Sequence, residues 1–426
     1  MLVEVCGREP QVGVGIYQDL VGFLAGAHGE ALDLGEARGL DLRYDPGDLG
    51  RCGLLTIAVP VVAAGREAHE GQDRCQENDS RPHVARVLSV VTYTPNLDDL
   101  RRSIDDELTR FLTGIGNELE QSEPLLAEIS LLLNAGGKRL RPAFCYWGSR
   151  AAGAAHSEAL LRVAASLELL HTFALVHDDI MDASDERRGV RTVHVRLGIG
   201  TALLVGDLAL VLADDLFMAS GFDAASLREA FASYSRMRKQ VIVGQHMELT
   251  LADRTRVEEA EARLVARMKS GRYSIKEPLL IGGCLGPRAG EITPGLSEYG
   301  ELLGEAFQIR DDLLGTFGRR PETGKPVDSD IREGKKNVLF ARTLQRLDDA
   351  DRDFFLGRWG AGVDLADTDI ETIRDLIESS GGRAATEELL EDLRGRALEA
   401  LADLILDEEP RAALEDLAEE VTRRSA

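Results

Sequence analysis

Apolar residues recur along this chain at the three-to-four-residue spacing of helices that bury one face. The plainest case is 158–182, where Leu161, Ala164, Ala165, Leu167, Leu169 and Phe173 point inward and three aspartates close the segment. Upstream, LDDLRRSIDDELTRFLTGIG reads as a helix capped by Asn96 or Asp98, with acidic residues in its early turns. A second helix covers 123–133. Gly136 and Gly137 end it, and Pro142 suits the first turn of the next. Further helices are predicted over 200–217, 236–250, 258–283 (loosening at Gly271) and 297–315. Acidic amphipathic helix then continues to Ala426 with a break at Gly381 and Gly382. Residues 91–426 show no strand-like alternation and no internal repeat, so the expected class is all-α.

Residues 1–90 differ. They hold no lysine, many glycines and no sustained helical period. The apolar run 52–65 is broken by Pro60 and falls short of the ~18–20 residues a spanning helix needs. The charged run 66–83 has a disordered composition. The expectation is a poorly ordered N-terminal extension, or translation from upstream of the natural start, followed by one domain over 91–426.

The net charge of −24 argues against nucleic acid or an anionic membrane as partner. Five scattered cysteines without ligand spacing suit reduced thiols in the cytoplasm. Of 50 basic residues only seven are lysine. In a chain that uses arginine by default, the lysines in GGKRLRP and REGKK mark places where a compact, strongly hydrated charge matters.

Asp178 and Asp182 lie four apart, on one helix face, and Asp179 adds a third charge. Like charges at that spacing cost a helix about 0.2–0.5 kcal/mol. A hard divalent cation gives a reason to accept that cost, because Mg²⁺ takes one or two carboxylates and fills its other positions with water and phosphate oxygens. Arg187 and Arg188, just beyond, suit a phosphate held bidentately. Gln308, Asp311 and Asp312 form a second polar set on one helix face, and Gln245 and Glu248 share a face as candidate supporting partners. Lys138, Arg139 and Arg141 sit on a glycine-flexed loop at a helix start, where backbone N–H groups and side chains hold anions. Two acidic helix faces ringed by basic residues above greasy helix faces suit a diphosphate head on a hydrocarbon tail.

On GGKRLRP (136–142), the helix with His171, DDIMD (178–182), RRG (187–189), KS (269–270), FQIRDD (307–312) and GKPVDSDIREGKK (324–336), the chain resembles the trans-isoprenyl diphosphate synthases, the polyprenyl synthetase family. The match covers about 91–426 in the expected order. The resemblance implies an isoprenoid synthase fold of about ten core helices around a cavity, usually a homodimer. It places Asp178, Asp179, Asp182, Asp311, Asp312 and Lys269 in the catalytic constellation, with Mg²⁺ on Asp178, Asp182 and Asp311. It implies an allylic diphosphate on Arg187, Lys269, Ser270, Gln308, Lys325 and Lys335, and isopentenyl diphosphate on Lys138, Arg141, His171 and Arg188.

Three places depart from the family pattern. Gly315 stands where many members carry a third aspartate, Arg319 and Arg320 follow the motif, and Asn337 replaces a common threonine. An aromatic five before Asp178 beside a small neighbour, Phe173 and Ala174, resembles the geranylgeranyl type, although an ideal helix puts Ala174, His171 and Leu167 on the Asp178 stripe and Phe173 to one side. Farnesyl diphosphate is the next product. A terpene cyclase would need an Asn/Ser/Glu metal triad and would lack GGKRLRP and RRG. A non-catalytic partner subunit is the remaining alternative.

Overall fold

A computed structural model describes residues 41–44, 54–58, 88–91, 96–318, 328–362 and 365–423. The chain divides into two units, Met1–Pro95 and Asn96–Ala426. In the first, the backbone is described for β1 (Asp41–Tyr44), β2 (Leu54–Ala58) and β3 (Leu88–Val91). They form an antiparallel sheet in that order, with Asp41 opposite Ala58 and Leu54 opposite Val91. The remainder of the proposed extension lies outside the described residues.

The second unit is helical. Helix α1 (Leu97–Glu118) starts where Asn96 accepts the Asp99 N–H at 2.9 Å, and buries Leu100, Ile104, Leu108 and Leu112 on one stripe. Helices α2 (Glu123–Asn134) and α3 (Leu140–Ala151) flank the GGKR loop. Helix α4 (Glu158–Met181), capped by Ser157, is the central rod and packs along α5 (Ile199–Met218). By length and composition α4 could cross a membrane, yet two thirds of its apolar window is buried inside the unit. Helix α6 (Ala224–Ala252) follows. Full burial of a leucine contributes about 1.5–3 kcal/mol, so the fully buried Leu160, Leu167 and Leu169, spread around α4, are a large part of what holds this rod.

The predicted 258–283 helix is continuous but changes character. It is α-helical over α7 (Glu259–Val265), widens to a π-helix over Ala266–Lys276, and returns to α-helix in α8 (Glu277–Cys284). The expected loosening at Gly271 thus begins five residues earlier. Helix α9 (Ala289–Phe317) also starts earlier than the predicted 297, with Pro294 accommodated inside it. Helices α10 (Val338–Leu344), α11 (Asp349–Arg358), α12 (Asp367–Ser379), α13 (Gly382–Ala402) and α14 (Glu408–Thr422) close the unit. Gly381, with φ 75°, makes the break predicted between α12 and α13. A second, smaller core is keyed by Phe340, Phe355 and Trp359, whose rings lie 5.0–5.6 Å apart.

Candidate active site

The C-terminal end of α4 carries the first aspartates. The Asp182 N–H donates to the Asp178 carbonyl at 2.8 Å, so the helical turn holds to its last residue and keeps the two side chains one above the other. Asp179 points elsewhere. It is buried and accepts from Arg187 through Nε at 2.7 Å, with the second guanidinium nitrogen at 2.6 Å. Arg187 also reaches Asp178 at 3.4 Å. Burial works against its charge, but the hydrogen bond and charge of Asp179 outweigh that and hold the guanidinium pKa above its usual value.

Arg187 is placed by a minimal hairpin, Glu186–Arg187 against Val190–Arg191. Its two-residue turn has φ 53° at Arg188 and 77° at Gly189, the doubly positive geometry that matches strand twist. Arg188 accepts this left-handed backbone while its guanidinium donates to the Gly136 carbonyl. The RRG and GGKR motifs are thereby tied together. Arg139, also left-handed at φ 51°, anchors the same loop from below: it pairs with Asp105 at 2.7 Å and Glu168 at 3.1 Å and donates to the Leu133 carbonyl at 2.7 Å.

Helix α9 brings the second acidic face. The Gln308 amide donates to Asp312 Oδ1 at 2.7 Å. Asp312 Oδ2 is buried with no protein donor on it. Burial, then the nearby Asp330 carboxylate, pushes the Asp312 carboxyl up to about 8. Asp311 lines the same cavity.

Between these faces stands Lys269 on the π-helical stretch, 3.3 Å from Asp178 and in contact with Glu248 of α6. Burial opposes its charge, yet Glu248 and Asp178 prevail and raise its pKa. The wide turn is reached through two glycines: a Cβ at Gly304 would lie 2.6 Å from the Gly271 carbonyl oxygen, so α9 meets the π-turn backbone to backbone. Four residues past Lys269, Tyr273 receives the Arg141 guanidinium over its ring at 4.5 Å, and its hydroxyl lies 3.3 Å from His171 Nδ1. Arg141 also donates to Ser274 at 2.7 Å. Burial, then the charge of Arg141, holds the His171 pKa well below its usual value, so the ring is neutral near pH 7. Lys335 pairs with Glu333 at 3.0 Å and Asp330 at 3.5 Å; burial opposes its charge, but Asp330 and Glu333 raise its pKa well above the lysine value.

One cavity of about 530 Å³ gathers most of the expected residues: Lys138, Arg141, His171, Asp178, Arg187, Arg188, Lys269, Ser270, Gln308, Asp311, Asp312 and Lys335 all line it. Leu175, Leu251, Val265, Phe307 and Leu314 supply its apolar wall. Asp179 and Asp182 are not on that wall, and neither are Phe173 and Ala174. The Phe173 ring stands edge-on to His177 at 4.8 Å, and His177 in turn covers Gly206 of α5. Lys325 lies outside the described residues, as do Arg319 and Arg320. The cavity adds Glu168, Asp330, Lys336 and Asn337 to the predicted set, and Arg139 and Glu248, already candidates, line it as well. Tyr273 also escaped the sequence reading, although its i+4 spacing from Lys269 was the available signal.

Among the described residues no three His, Cys, Asp or Glu side chains converge closely enough to cage an ion by themselves. The donors present are nonetheless the right kind. Hard carboxylate oxygens from two helices face one cavity, one of them the buried Asp312 Oδ2, and Mg²⁺ asks for one or two carboxylates with water and phosphate filling the rest.

Fold and site together define a helical unit in which two acidic helix ends and a ring of basic residues meet on one part-apolar cavity. The chain belongs to the polyprenyl synthetase family, whose profile matches residues 123–372, and its fold is the isoprenyl synthase fold. It is 34% identical to a geranylgeranyl diphosphate synthase of Saccharolobus solfataricus over 284 residues, 66% of this chain and 84% of that one. It is 33% identical to a (2E,6E)-farnesyl diphosphate synthase of Mycobacterium bovis over 315 residues, 72% and 84% of the two chains. Among solved structures, it matches geranylgeranyl pyrophosphate synthase from Corynebacterium glutamicum, complexed with isoprenyl diphosphate and magnesium, at TM-score 0.74 and 33% identity, over 78% of this chain and all of that one.

Proposed function

We propose that residues 91–426 form a Mg²⁺-dependent trans-prenyltransferase that joins isopentenyl diphosphate to allylic diphosphates, with geranylgeranyl diphosphate as the product, and that residues 1–90 are an extension outside the catalytic unit. The observation that carries this reading is the convergence of two acidic helix faces and nine of the predicted basic or polar residues on one part-apolar cavity.

Asp178, Asp182 and Asp311 are the residues that would hold Mg²⁺, which when bound would draw charge from a leaving diphosphate. The chain's own groups do the rest. Arg187 and Lys269, both kept charged by neighbouring carboxylates, hold the allylic diphosphate oxygens with Ser270, Lys325 and Lys335. Lys138, Arg141 and Arg188 hold isopentenyl diphosphate, and neutral His171 offers a hydrogen bond without adding charge. The allylic C–O bond breaks with its electron pair leaving on the diphosphate, the isopentenyl double bond closes on the freed carbon, and the released diphosphate takes the proton. Leu175, Phe307 and Leu314 exclude the water that would quench the allylic cation. Asp179 acts by fixing Arg187.

A homodimer is supported by an apolar stripe on α5 and α6, where Ile199, Leu203, Leu204, Val211, Ile242 and Val243 are exposed. Stripes of this kind mark interfaces in soluble folds. The cytoplasm is supported by the free thiols of Cys145 and Cys284. The product length rests on Phe173 and Ala174 and on the named relatives, which span both geranylgeranyl and farnesyl products. Incubation with Mg²⁺, isopentenyl diphosphate and dimethylallyl, geranyl or farnesyl diphosphate, with products sized by chromatography, tests it. A twenty-carbon diphosphate is expected from each primer. A fifteen-carbon end product overturns the chain length, and no product overturns the activity.

A further inference from the structure

Four cations on the stretch that carries Lys269 form a row against α9. Arg263, Arg267, Arg272 and Lys276 follow one another at steps of four, five and four residues. Two glutamates of α9 receive them. Glu305, only 4% exposed, pairs with Arg263 and, at 3.2 Å, with Arg267. Glu301 takes Arg272 at 2.7 Å and Lys276 at 2.8 Å, with Arg267 at 3.7 Å. Arg267 thus links the two carboxylates into one ladder.

Ordinary α winding would not line this row up. At 3.6 residues per turn, Arg263 and Lys276 would end on different sides of the helix. A π-turn bonds residue i to i+5 and so takes the extra residue of the middle step. The stretch is π-helical over Ala266–Lys276. The backbone contacts repeat the mismatch. Gly300 and Gly304 of α9 are four apart. A Cβ at Gly300 would lie 2.8 Å from Lys276 Cα, while Gly304 faces Gly271, five residues before Lys276. In the charged row and in the glycine row alike, a four-residue step on α9 meets a five-residue step on its partner. The other flank of the stretch lies against α6, where a Cβ at Gly244 would come within 2.5 Å of the Lys269 nitrogen. From there the Lys269 side chain reaches Asp178 and Glu248.

We infer that Glu301 and Glu305 are positioning residues for Lys269: their ladder with Arg263, Arg267, Arg272 and Lys276 holds the wide winding, and the winding sets where Lys269 and Ser270 stand in the cavity. The inference rests on the proposed prenyltransferase reading for what Lys269 does there. It gives the six charged groups a task beyond stability, although none of them lines the cavity. It also explains why the row is spaced for a π-turn and not for an α-helix.

The competing account is that these are ordinary ion pairs, which hold the fold and nothing else. Full-length variants separate the two. Glu305→Gln keeps the shape and removes the charge shared by Arg263 and Arg267. Hydrogen exchange followed by mass spectrometry should then speed up over 266–276 while peptides of α4 keep their protection. In assays well below the melting temperature, kcat/KM for the allylic primer should fall on the order of 10–10²-fold, the loss that follows when a binding group is misplaced by about an ångström. Arg272→Gln removes a more exposed rung, so it folds even where Glu305→Gln does not, and it should act in the same direction. Arg272→Lys keeps the charge and should recover most of that loss. The control is Glu128→Gln on α2, which breaks the pair with Arg196 at 3.0 Å, away from this stretch. It should lower the melting temperature and leave kcat and KM alone. Unchanged exchange over 266–276 in both ladder variants overturns the inference. So does a lower melting temperature with wild-type kinetics, the behaviour expected of the control, or an Arg272→Lys no better than Arg272→Gln. If the unmodified protein makes no product, the proposed function falls, and the exchange comparison still decides whether the ladder holds the winding.

Discussion

The two acidic helix ends use the same residue type at similar spacing and live in opposite surroundings. At the end of α4, Asp178 lies between two cations, Arg187 at 3.4 Å and Lys269 at 3.3 Å, and Asp179 is gripped by Arg187. On α9, Asp312 is fully buried and faces carboxylates, so its proton is held up to about 8. A carboxylate's charge is therefore decided by what packs across from it, and the motif by itself is silent on that. The first end is braced by cations. The second holds its proton because burial and a neighbouring carboxylate disfavour the charged form.

The largest expected effect comes from removing the braced end. Asp178→Ala or Asp182→Ala should lower kcat by on the order of 10²–10³-fold or more, in line with losing a dedicated electrostatic stabiliser, with circular dichroism unchanged. Near-wild-type turnover in either variant would show that the α4 end is not the working metal face.

Next is the crossing that brings the two ends together. Gly304→Ala forces a Cβ to 2.6 Å from the Gly271 carbonyl oxygen, and overpacking of this kind costs about 1–3 kcal/mol. Denaturant melts should show the loss, and kcat should fall with it because the π-turn carrying Lys269 is pushed off α9. Retained kcat at reduced stability would separate the crossing from the chemistry.

The stored proton gives a pH signature. Asp312 has an ordinary carboxyl value of 3.8 and about 8 in the fold, so between those values the folded state binds a proton the unfolded state lacks. Its contribution is fully present below about 4 and is lost as pH rises through about 8. In metal-free buffer the wild-type melting temperature should drop between pH 5 and 8.5 more steeply than that of Asp312→Asn. Parallel curves would mean that the two helix ends do not differ in charge.

Smallest in its effect on rate is Phe173→Ala on α4. Under the geranylgeranyl reading it should lengthen the product from twenty to twenty-five carbons with early condensations unchanged. The ring now stands against His177 and off the cavity wall. An unaltered product with the ~3–5 kcal/mol loss of a truncated core phenylalanine would make it a packing residue instead.

Much of this architecture was readable locally. The cap at Asn96, the glycine stop at 136–137 and the α4 stripe ending in DDIMD each depend on neighbours within one or two turns. The helical period is a short-range property, so the chain alone determined where its helices lie, which face each buries and which residue types its acidic and basic motifs bring to the table. Only the tertiary structure decided that Asp179 turns to Arg187, that His171 is neutral, that the Lys269 helix widens into a π-turn, and that Asp330 fills the space over Gly315. Each of those facts depends on a partner from a different element, often more than ten residues away. Burial and charge are properties of the assembled neighbourhood, and no window along the chain contains that neighbourhood.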